Sequence, residues 1–282
     1  MQKLNQHNKY YLQMLILCGF LLIYSCDSNI HLEDNSSESK NIKLITLAPH
    51  LAELVHSAGA INNLVGVVSY SDYPEQVKSI KIIGDAYKVD FESILALKPN
   101  YVLSWSGGTP SSTVKKLKSL NINVVDIVIN NLSDIPKAIK AIAKLTGTST
   151  FADKNISLFN TTIEELIPKK HTKQTAFIET FHQPLYTVSG KHWMSEAIEY
   201  CGYKNIFSGL KQKSATVSVE AVINKNPQII INISKAKDQQ WQKWTSLDAV
   251  KNNRILTIDP DYFSRPTMRI LKGIEKLCSF QS

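Results

Sequence analysis

Short apolar runs rich in β-branched residues alternate with amphipathic helical segments from residue 42 onward. The predicted strands are 42–47, 64–68, 101–103, 122–129, 175–178, 185–188, 229–233 and 255–258. The predicted helices are 49–58, 75–79, 90–97, 112–120, 135–145, 151–167 and 194–200. Strands that alternate with helices form βαβ units, whose strands pair in parallel. The pattern therefore predicts an α/β protein with mostly parallel sheets.

Two consecutive helical segments interrupt this alternation in the middle of the chain. The second has apolar residues at helical spacing and is followed by the polar cluster 168–173, which is typical of a boundary. We predict an N-terminal α/β lobe at 42–130, a helical bridge at 131–173 and a C-terminal α/β lobe at 174–282.

An internal repeat supports two related lobes. Two 14-residue segments that begin at Asp90 and Ser218 align without gaps, and each reads cap, apolar residue, Glu, helix, Pro and strand. Asp90 and Ser218 are typical helix caps, and Glu92 and Glu220 fall where the helix dipole favours an anion. These glutamates have two explanations: stabilisation of the helix start by ~0.3–1 kcal/mol, or docking of two related lobes on a two-fold partner.

The amino terminus has the pattern of an export signal. Lys3 and Lys9 precede an apolar run at 14–24, which is too short to form a stable span of the bilayer. The residues before Cys26 resemble a bacterial lipobox, so we predict a signal at 1–25, lipidation of Cys26 and a polar tether at 26–41. An ordinary cleaved signal or an uncleaved anchor is the alternative.

Export changes the interpretation of the two cysteines that lie beyond Cys26. Cys201 and Cys278 are the only pair in the mature domain, and in an oxidising compartment such a pair favours a disulfide. Closing a loop of this length would stabilise the fold by about 4–4.5 kcal/mol on the chain-entropy model. Two buried free thiols are the alternative.

Composition and motifs exclude several classes of function. The chain has 282 residues, a net charge of +8, 43% hydrophobic and 20% charged residues, which is typical of a globular protein. Only three of its basic residues are arginines, which disfavours a nucleic-acid partner. The sequence lacks a Gly-x-Ser-x-Gly elbow, a phosphate loop, a dinucleotide glycine signature and a clustered His-Glu zinc pattern. We therefore predict neither an enzyme nor a catalytic cofactor.

The residues that follow the predicted strands are the first candidates for a binding site, because open parallel sheets bind ligands beyond the carboxyl ends of their strands. These residues are His50, Tyr70, Trp105, Tyr186, Tyr262, Phe263 and Arg265. Their aromatic rings predict a cleft for a large flat or partly apolar ligand.

Four segments carry a resemblance to a known family. They are Val-Ser-Tyr-Ser-Asp-Tyr-Pro at 68–74, Phe-Glu through Ala-Leu-Lys-Pro at 91–99, Trp-Ser-Gly-Gly at 105–108 and Asp-Tyr-Phe-Ser-Arg at 261–265. In this order, over nearly all of 42–280, the chain resembles the periplasmic vitamin B12-binding proteins of ABC importers, which are class III substrate-binding proteins.

The resemblance implies two Rossmann-like lobes bridged by a long rigid α-helix, with a corrinoid held in the cleft between them. The implied cobalamin contacts are Tyr70, Trp105, Asp261, Tyr262, Phe263, Ser264 and Arg265. Glu92 and Glu220 match the glutamates that meet arginines of the dimeric permease, and Cys201 and Cys278 match bonded positions. The implied location is the periplasm or the cell surface.

The chain departs from the family pattern at three positions. His50 replaces a small residue, and Ala86 and Ser214 replace pocket tryptophans. Candidates for the missing rings are Tyr87, Tyr186, Trp193, Trp241 and Trp244. His50 is a candidate axial ligand to the cobalt of the bound corrinoid, or it caps its helix or bonds solvent. Haem or a ferric siderophore is the alternative ligand, with His50 or Tyr70 on the iron.

Overall fold

The computed structural model describes residues 42–85, 87–166, 173–235 and 240–280. The predicted export signal, Cys26, the tether and Ala86 lie outside these ranges. No helix within them is long and apolar enough to cross a membrane.

All eight predicted strands occur: four are shorter than predicted, two are longer and two have the predicted bounds. The strands are β1 Leu44–Thr46, β2 Leu64–Gly66, β3 Tyr101–Trp105, β4 Val124–Ile127, β5 Gln174–Glu179, β6 Tyr186–Val188, β7 Tyr203–Asn205, β8 Ser214–Thr216, β9 Ile229–Ile233 and β10 Ile255–Ile258. The sequence pattern missed β7 and β8, which carry more polar residues than the others.

Ten α-helices connect these strands in the described part of the chain. The helices are α1 Pro49–Ser57, α2 Phe91–Leu97, α3 Ser111–Ser119, α4 Asp134–Thr146, α5 Ser149–Leu166, α6 Trp193–Tyr200, α7 Val219–Lys225, α8 Asp248–Lys251, α9 Pro260–Phe263 and α10 Ile270–Ser279. The segment predicted as a helix at 75–79 is a 3₁₀-helix, Glu75–Ser79.

Two four-stranded sheets form the two lobes, and every pair of strands within them is parallel. Their orders are β2-β1-β3-β4 and β10-β9-β5-β7. The prediction of an α/β fold with mostly parallel sheets is confirmed. β6 instead pairs antiparallel with β8 in a separate two-stranded sheet.

The central strands are apolar because helices cover both faces of each sheet. All five residues of β9 are buried, although the strand includes Asn232. Their side chains divide between two clusters, with Ile229 and Ile231 in one and Ile230 in the other. The alternation of side chains thus places successive residues of one strand in different cores.

The central helical segment consists of two helices that break at Gly147. This glycine ends α4 with a left-handed φ of +76°, a conformation that costs other residues free energy. α4 packs against α1 of the first lobe, while α5 packs against both α4 and α10. α5 is therefore the helix that links the lobes, and the exact boundaries at 131 and 173 stay predictions.

Candidate ligand cleft and docking helices

The carboxyl edge of the first sheet presents two exposed tyrosines. Tyr70 follows β2 and is 83% exposed, and Tyr87 is also exposed. The loops that carry them are joined, because the Ser69 amide donates to the Gly84 carbonyl over 2.8 Å. Among the candidates for the missing rings, Tyr87 therefore follows a segment that is hydrogen-bonded to the loop of Tyr70.

Trp105 ends β3 at the same edge of the sheet. Its indole lies over Gly108, where an added Cβ would come within 1.8 Å of the Trp105 ring. Glycine at this turn therefore allows the ring to fold back over the backbone. The ring also packs edge-on against His50, with centroids 4.9 Å apart and an interplanar angle of 85°.

The cobalt-ligand hypothesis for His50 conflicts with its position. The residue lies in α1 and is buried, and its Nε2 has no hydrogen-bond partner within the described residues. A metal needs an accessible nitrogen, and this nitrogen has almost no surface in this arrangement. Nor does His50 cap the helix, since Ala48 occupies the cap position and no side chain bonds there.

Burial of His50 predicts a specific dependence of stability on pH. Burial, assisted by the charge of Arg265, lowers the pKa of His50 from 6.5 to about 3. Below pH 6.5 the unfolded chain therefore binds a proton that the folded chain does not, and stability falls as the pH falls towards 3. The advantage of wild type over His50→Asn in free energy of unfolding should shrink by ~2 kcal/mol between pH 7 and pH 5.

Urea unfolding at a series of pH values measures this difference. His192→Asn offers a second case, because burial and then Lys213 lower the pKa of His192 to about 4, and asparagine can replace histidine as the cap of α6. Parallel stability curves for wild type and His50→Asn would show that the imidazole is not buried in its neutral form.

The carboxyl edge of the second sheet adds a ring that the sequence pattern missed. Phe181 follows β5, is exposed, and forms an antiparallel bridge with Tyr186. The Tyr186 amide donates to the Phe181 carbonyl over 2.9 Å. The position of Phe181, two residues beyond the end of a buried strand, was a signal that could have identified it as a site residue.

Two tryptophans considered as replacements for the missing rings are instead core residues. Trp241 is fully buried, donates its indole N–H to Glu179 over 2.6 Å and packs edge-on against Phe177. Trp193 is also buried, in α6. Neither ring is available to a ligand in this arrangement.

The predicted contact segment 261–265 divides between cleft, surface and core. Phe263 is fully buried in the core, so its side chain is not available to a ligand in this arrangement. The reason is the helical turn of α9, which directs consecutive side chains to different sides. Ser264 is exposed.

Asp261 and Arg265 form an ion pair in this segment. Asp261 lies 3.3 Å from Arg265 and 3.0 Å from Lys235. Burial opposes ionisation of Asp261, but the hydrogen bond from Lys235 and the charge of Arg265 outweigh it and lower its pKa. Asp261 is therefore ionised at neutral pH.

Tyr262 faces a groove of about 440 Å³ between α1, α5 and the start of α10. Its ring lies beneath the Arg269 guanidinium, at 5.1 Å from the ring centroid, and the Lys272 ammonium, at 5.3 Å. Asn155 and Leu158 of α5 line the same groove. Tyr262 therefore lies in this groove. Arg265 instead bonds the carbonyl of Tyr70.

Arg265 brings the carboxyl edges of the two sheets together. Its Nη1 lies 2.7 Å from Asp72 and 2.8 Å from Glu53, both in the first lobe, and its Nη2 donates to the Tyr70 carbonyl over 3.3 Å. Sequence reasoning missed Glu53 and Asp72. Burial raises the pKa of Glu53, and hydrogen bonds from Arg265 and then Thr267 act against this rise.

The repeated segments form matched helices. α2 and α7 each have seven residues, begin after the caps Asp90 and Ser218 and end in a left-handed residue. The Asp90 carboxylate accepts hydrogen bonds from the amides of Glu92 and Ser93, and the Ser218 hydroxyl accepts one from Ala221. The local geometry of the repeat is therefore duplicated in the two lobes.

Glu92 and Glu220 occupy equivalent positions in the first turns of these helices, and both are exposed. Hydrogen bonds to its own backbone amide and to Ser218 lower the pKa of Glu220. The structure thus presents an exposed acidic side chain at the same position of the duplicated helix in each lobe.

The predicted disulfide is confirmed. Cys201 follows α6 and Cys278 lies in α10, and their sulfurs are bonded with Cα atoms 4.8 Å apart. The bond joins two helices of the second lobe across 77 positions of sequence.

Two parallel α/β lobes linked by a helix, with rings and an arginine where their sheet edges meet, define a class of two-lobed proteins that bind solutes in a cleft. The model of the periplasmic binding protein family matches residues 44–262. The chain belongs to this family.

Curated relatives and solved structures narrow the comparison. The chain is 32% identical to the vitamin B12-binding protein of Vibrio campbellii over 241 residues, which are 84% of this chain and 88% of the relative. The crystal structure of the periplasmic vitamin B12-binding protein BtuF of Vibrio cholerae has a TM-score of 0.79 at 30% identity, and the match covers 84% of this chain and 95% of that one. The haem-binding protein HutB of Vibrio cholerae shares the fold, with a TM-score of 0.72 at 18% identity and coverage of 86% and 99%.

Proposed function

We propose that this protein is the substrate-binding component of an ABC importer and captures cobalamin or a related corrinoid between its two lobes. The observation that carries the proposal is the set of exposed rings at the carboxyl edges of both sheets, together with Arg265 where these edges meet. The rings are Tyr70, Tyr87, Phe181 and Tyr186. A corrin ring is large, flat and partly apolar, which suits aromatic faces on two sides.

Chemistry and similarity both support a corrinoid over other ligands. Arg265 and Asp261 provide a charged donor and acceptor for the polar groups around a corrin ring. The relatives that match with about 30% identity over most of their length are named for vitamin B12. The haem-binding neighbours support the fold alone at their level of identity.

Calorimetry with three ligands tests the proposal. Cyanocobalamin should bind one to one with a dissociation constant below about 1 µM, corresponding to about −8 kcal/mol, and haem and a ferric siderophore should bind at least a hundredfold more weakly. Tighter binding of haem, with Tyr70 as the accessible candidate for the iron ligand, would favour the alternative function.

Tyr70→Ala should weaken cyanocobalamin binding by about tenfold, because stacked rings contribute ~0.5–1.5 kcal/mol beyond their buried area.

Delivery requires contact with the permease. We propose that Glu92 and Glu220 dock on the two halves of a dimeric permease, which its ATPase drives, and that the acidic pair recognises basic residues there. Support comes from their equivalent positions on duplicated helices, as a two-fold partner requires two related contacts. Export under the direction of residues 1–25, and tethering to the membrane through a lipid on Cys26, belong to the same proposal.

A further inference from the structure

A buried carboxylate in the first lobe holds the carboxyl-terminal part of the second. Glu53 lies in α1, and its side chain is 2% exposed. It accepts hydrogen bonds from Arg265 over 2.8 Å, from the Thr267 hydroxyl over 2.8 Å and from Arg269 over 3.2 Å. All three donors belong to the segment that follows α9, so one side chain bonds three alternate residues of that segment.

Arg265 extends from this buried contact to the exposed side of the cleft. The same Nη1 that bonds Glu53 also bonds Asp72, and Nη2 bonds the carbonyl of Tyr70. Tyr70 has a left-handed φ of +66°, which a tyrosine adopts only at a cost in free energy. The bond from Arg265 thus supports the backbone that carries an exposed ring.

We propose that Glu53 is a positioning residue that holds Arg265, and through it the Tyr70 loop, in the arrangement that the ligand meets. The inference rests on the proposed function, since it assumes that the ligand contacts Tyr70 and Arg265. Arginine has many rotamers, and fixing one of them before binding removes that entropic cost from the binding step. Glu53 itself has too little exposed surface to contact a ligand.

The small number of arginines allows a direct test in the ligand-free protein. The chain contains only Arg254, Arg265 and Arg269, so arginine-selective ¹⁵N labelling gives three Nε–H signals. In Glu53→Gln, which keeps the shape and removes the charge, both guanidinium groups lose their charged partner at Nη1 and become more mobile. The Nε–H protons of Arg265 and Arg269 should therefore exchange with water about tenfold faster. Arg254 bonds Gln174 and Tyr203 instead, and its signal should not change.

Ligand affinity provides the second readout, in a double-mutant cycle with cyanocobalamin. Glu53→Gln should weaken binding about tenfold in wild type and less than twofold in an Arg265→Ala background, because Glu53 acts through Arg265. Glu75→Gln is the matched control, since Glu75 forms an exposed ion pair with Lys78 on the surface and should leave affinity unchanged. If Glu53→Gln does not fold, Glu53→Asp, which is one methylene shorter, should show the same coupling.

Two results would overturn the positioning role. One is an equal loss of affinity with and without the Arg265 side chain, as expected if Glu53 only stabilises the fold. The other is unchanged exchange at the Arg265 signal. Failure of wild type to bind cyanocobalamin would contradict the proposed function instead, and the arginine signals would still decide whether Glu53 positions Arg265.

Discussion

Reversal of charge at both Glu92 and Glu220 is expected to abolish cobalamin uptake without changing affinity for the ligand. Each lysine would face a basic residue of the permease, and juxtaposed like charges across an interface cost several kcal/mol. Two such contacts together should reduce uptake at least a hundredfold. Affinity should stay within twofold, because both glutamates are exposed in the first turns of their helices and neither is a proposed ligand contact.

The control for the Glu92→Lys, Glu220→Lys variant is a second variant with the same change in net charge. Glu164→Lys with Glu165→Lys serves this purpose, since both side chains are exposed on α5 and neither belongs to the repeated helices. Uptake of labelled cyanocobalamin by cells that lack the chromosomal copy measures transport, and calorimetry measures affinity. Normal uptake by the Glu92→Lys, Glu220→Lys variant would rule out docking through this pair.

Removal of the disulfide between Cys201 and Cys278 is expected to cause a large loss of stability. The bond closes a loop of 77 positions, and the chain-entropy model gives a stabilisation of about 4.5 kcal/mol for a loop of this length, of which measured cases often realise less. The double variant Cys201→Ala, Cys278→Ala should therefore unfold with a free energy about 3–4.5 kcal/mol lower. The melting temperature should fall by about 10 °C.

Reductant distinguishes loss of the bond from loss of packing around the buried Cys201. Dithiothreitol should lower the free energy of unfolding of wild type, measured in urea, by nearly as much as the double alanine substitution does. It should have no effect on the alanine variant. Alkylation of both thiols in wild type that has never met a reductant would contradict the existence of the bond.

Local patterns were sufficient to predict seven of the eight strands of the two main sheets, because buried parallel strands are almost uninterrupted apolar runs. β7 and β8 were missed because they are not apolar runs. Lys204 and the polar ends of β8 interrupt any apolar run, since these strands lie at a sheet edge or in a small separate sheet. β6 was predicted as a strand, but its antiparallel partner depends on contacts that no local pattern contains.

The sequence identified residues of the candidate site mainly by their position after a predicted strand. Tyr70 and Arg265 were identified in this way, and the structure joins them through the Tyr70 carbonyl. Phe263 follows the same rule and is nevertheless a core residue. His50 also follows a predicted strand and was a candidate cobalt ligand because of its imidazole, but in the structure it is buried and packs against Trp105.

The sequence by itself determined the α/β class, the duplicated helices with Glu92 and Glu220, and the cysteine pair. These features depend on the periodicity of the backbone, on helix caps and on residue type, which neighbouring residues settle. Only the tertiary structure decided which side chains face the cleft and that Glu53 holds Arg265, a contact across 212 positions of sequence. The physical reason is that the burial and the partners of a side chain depend on how distant segments pack together, and no local pattern records that arrangement.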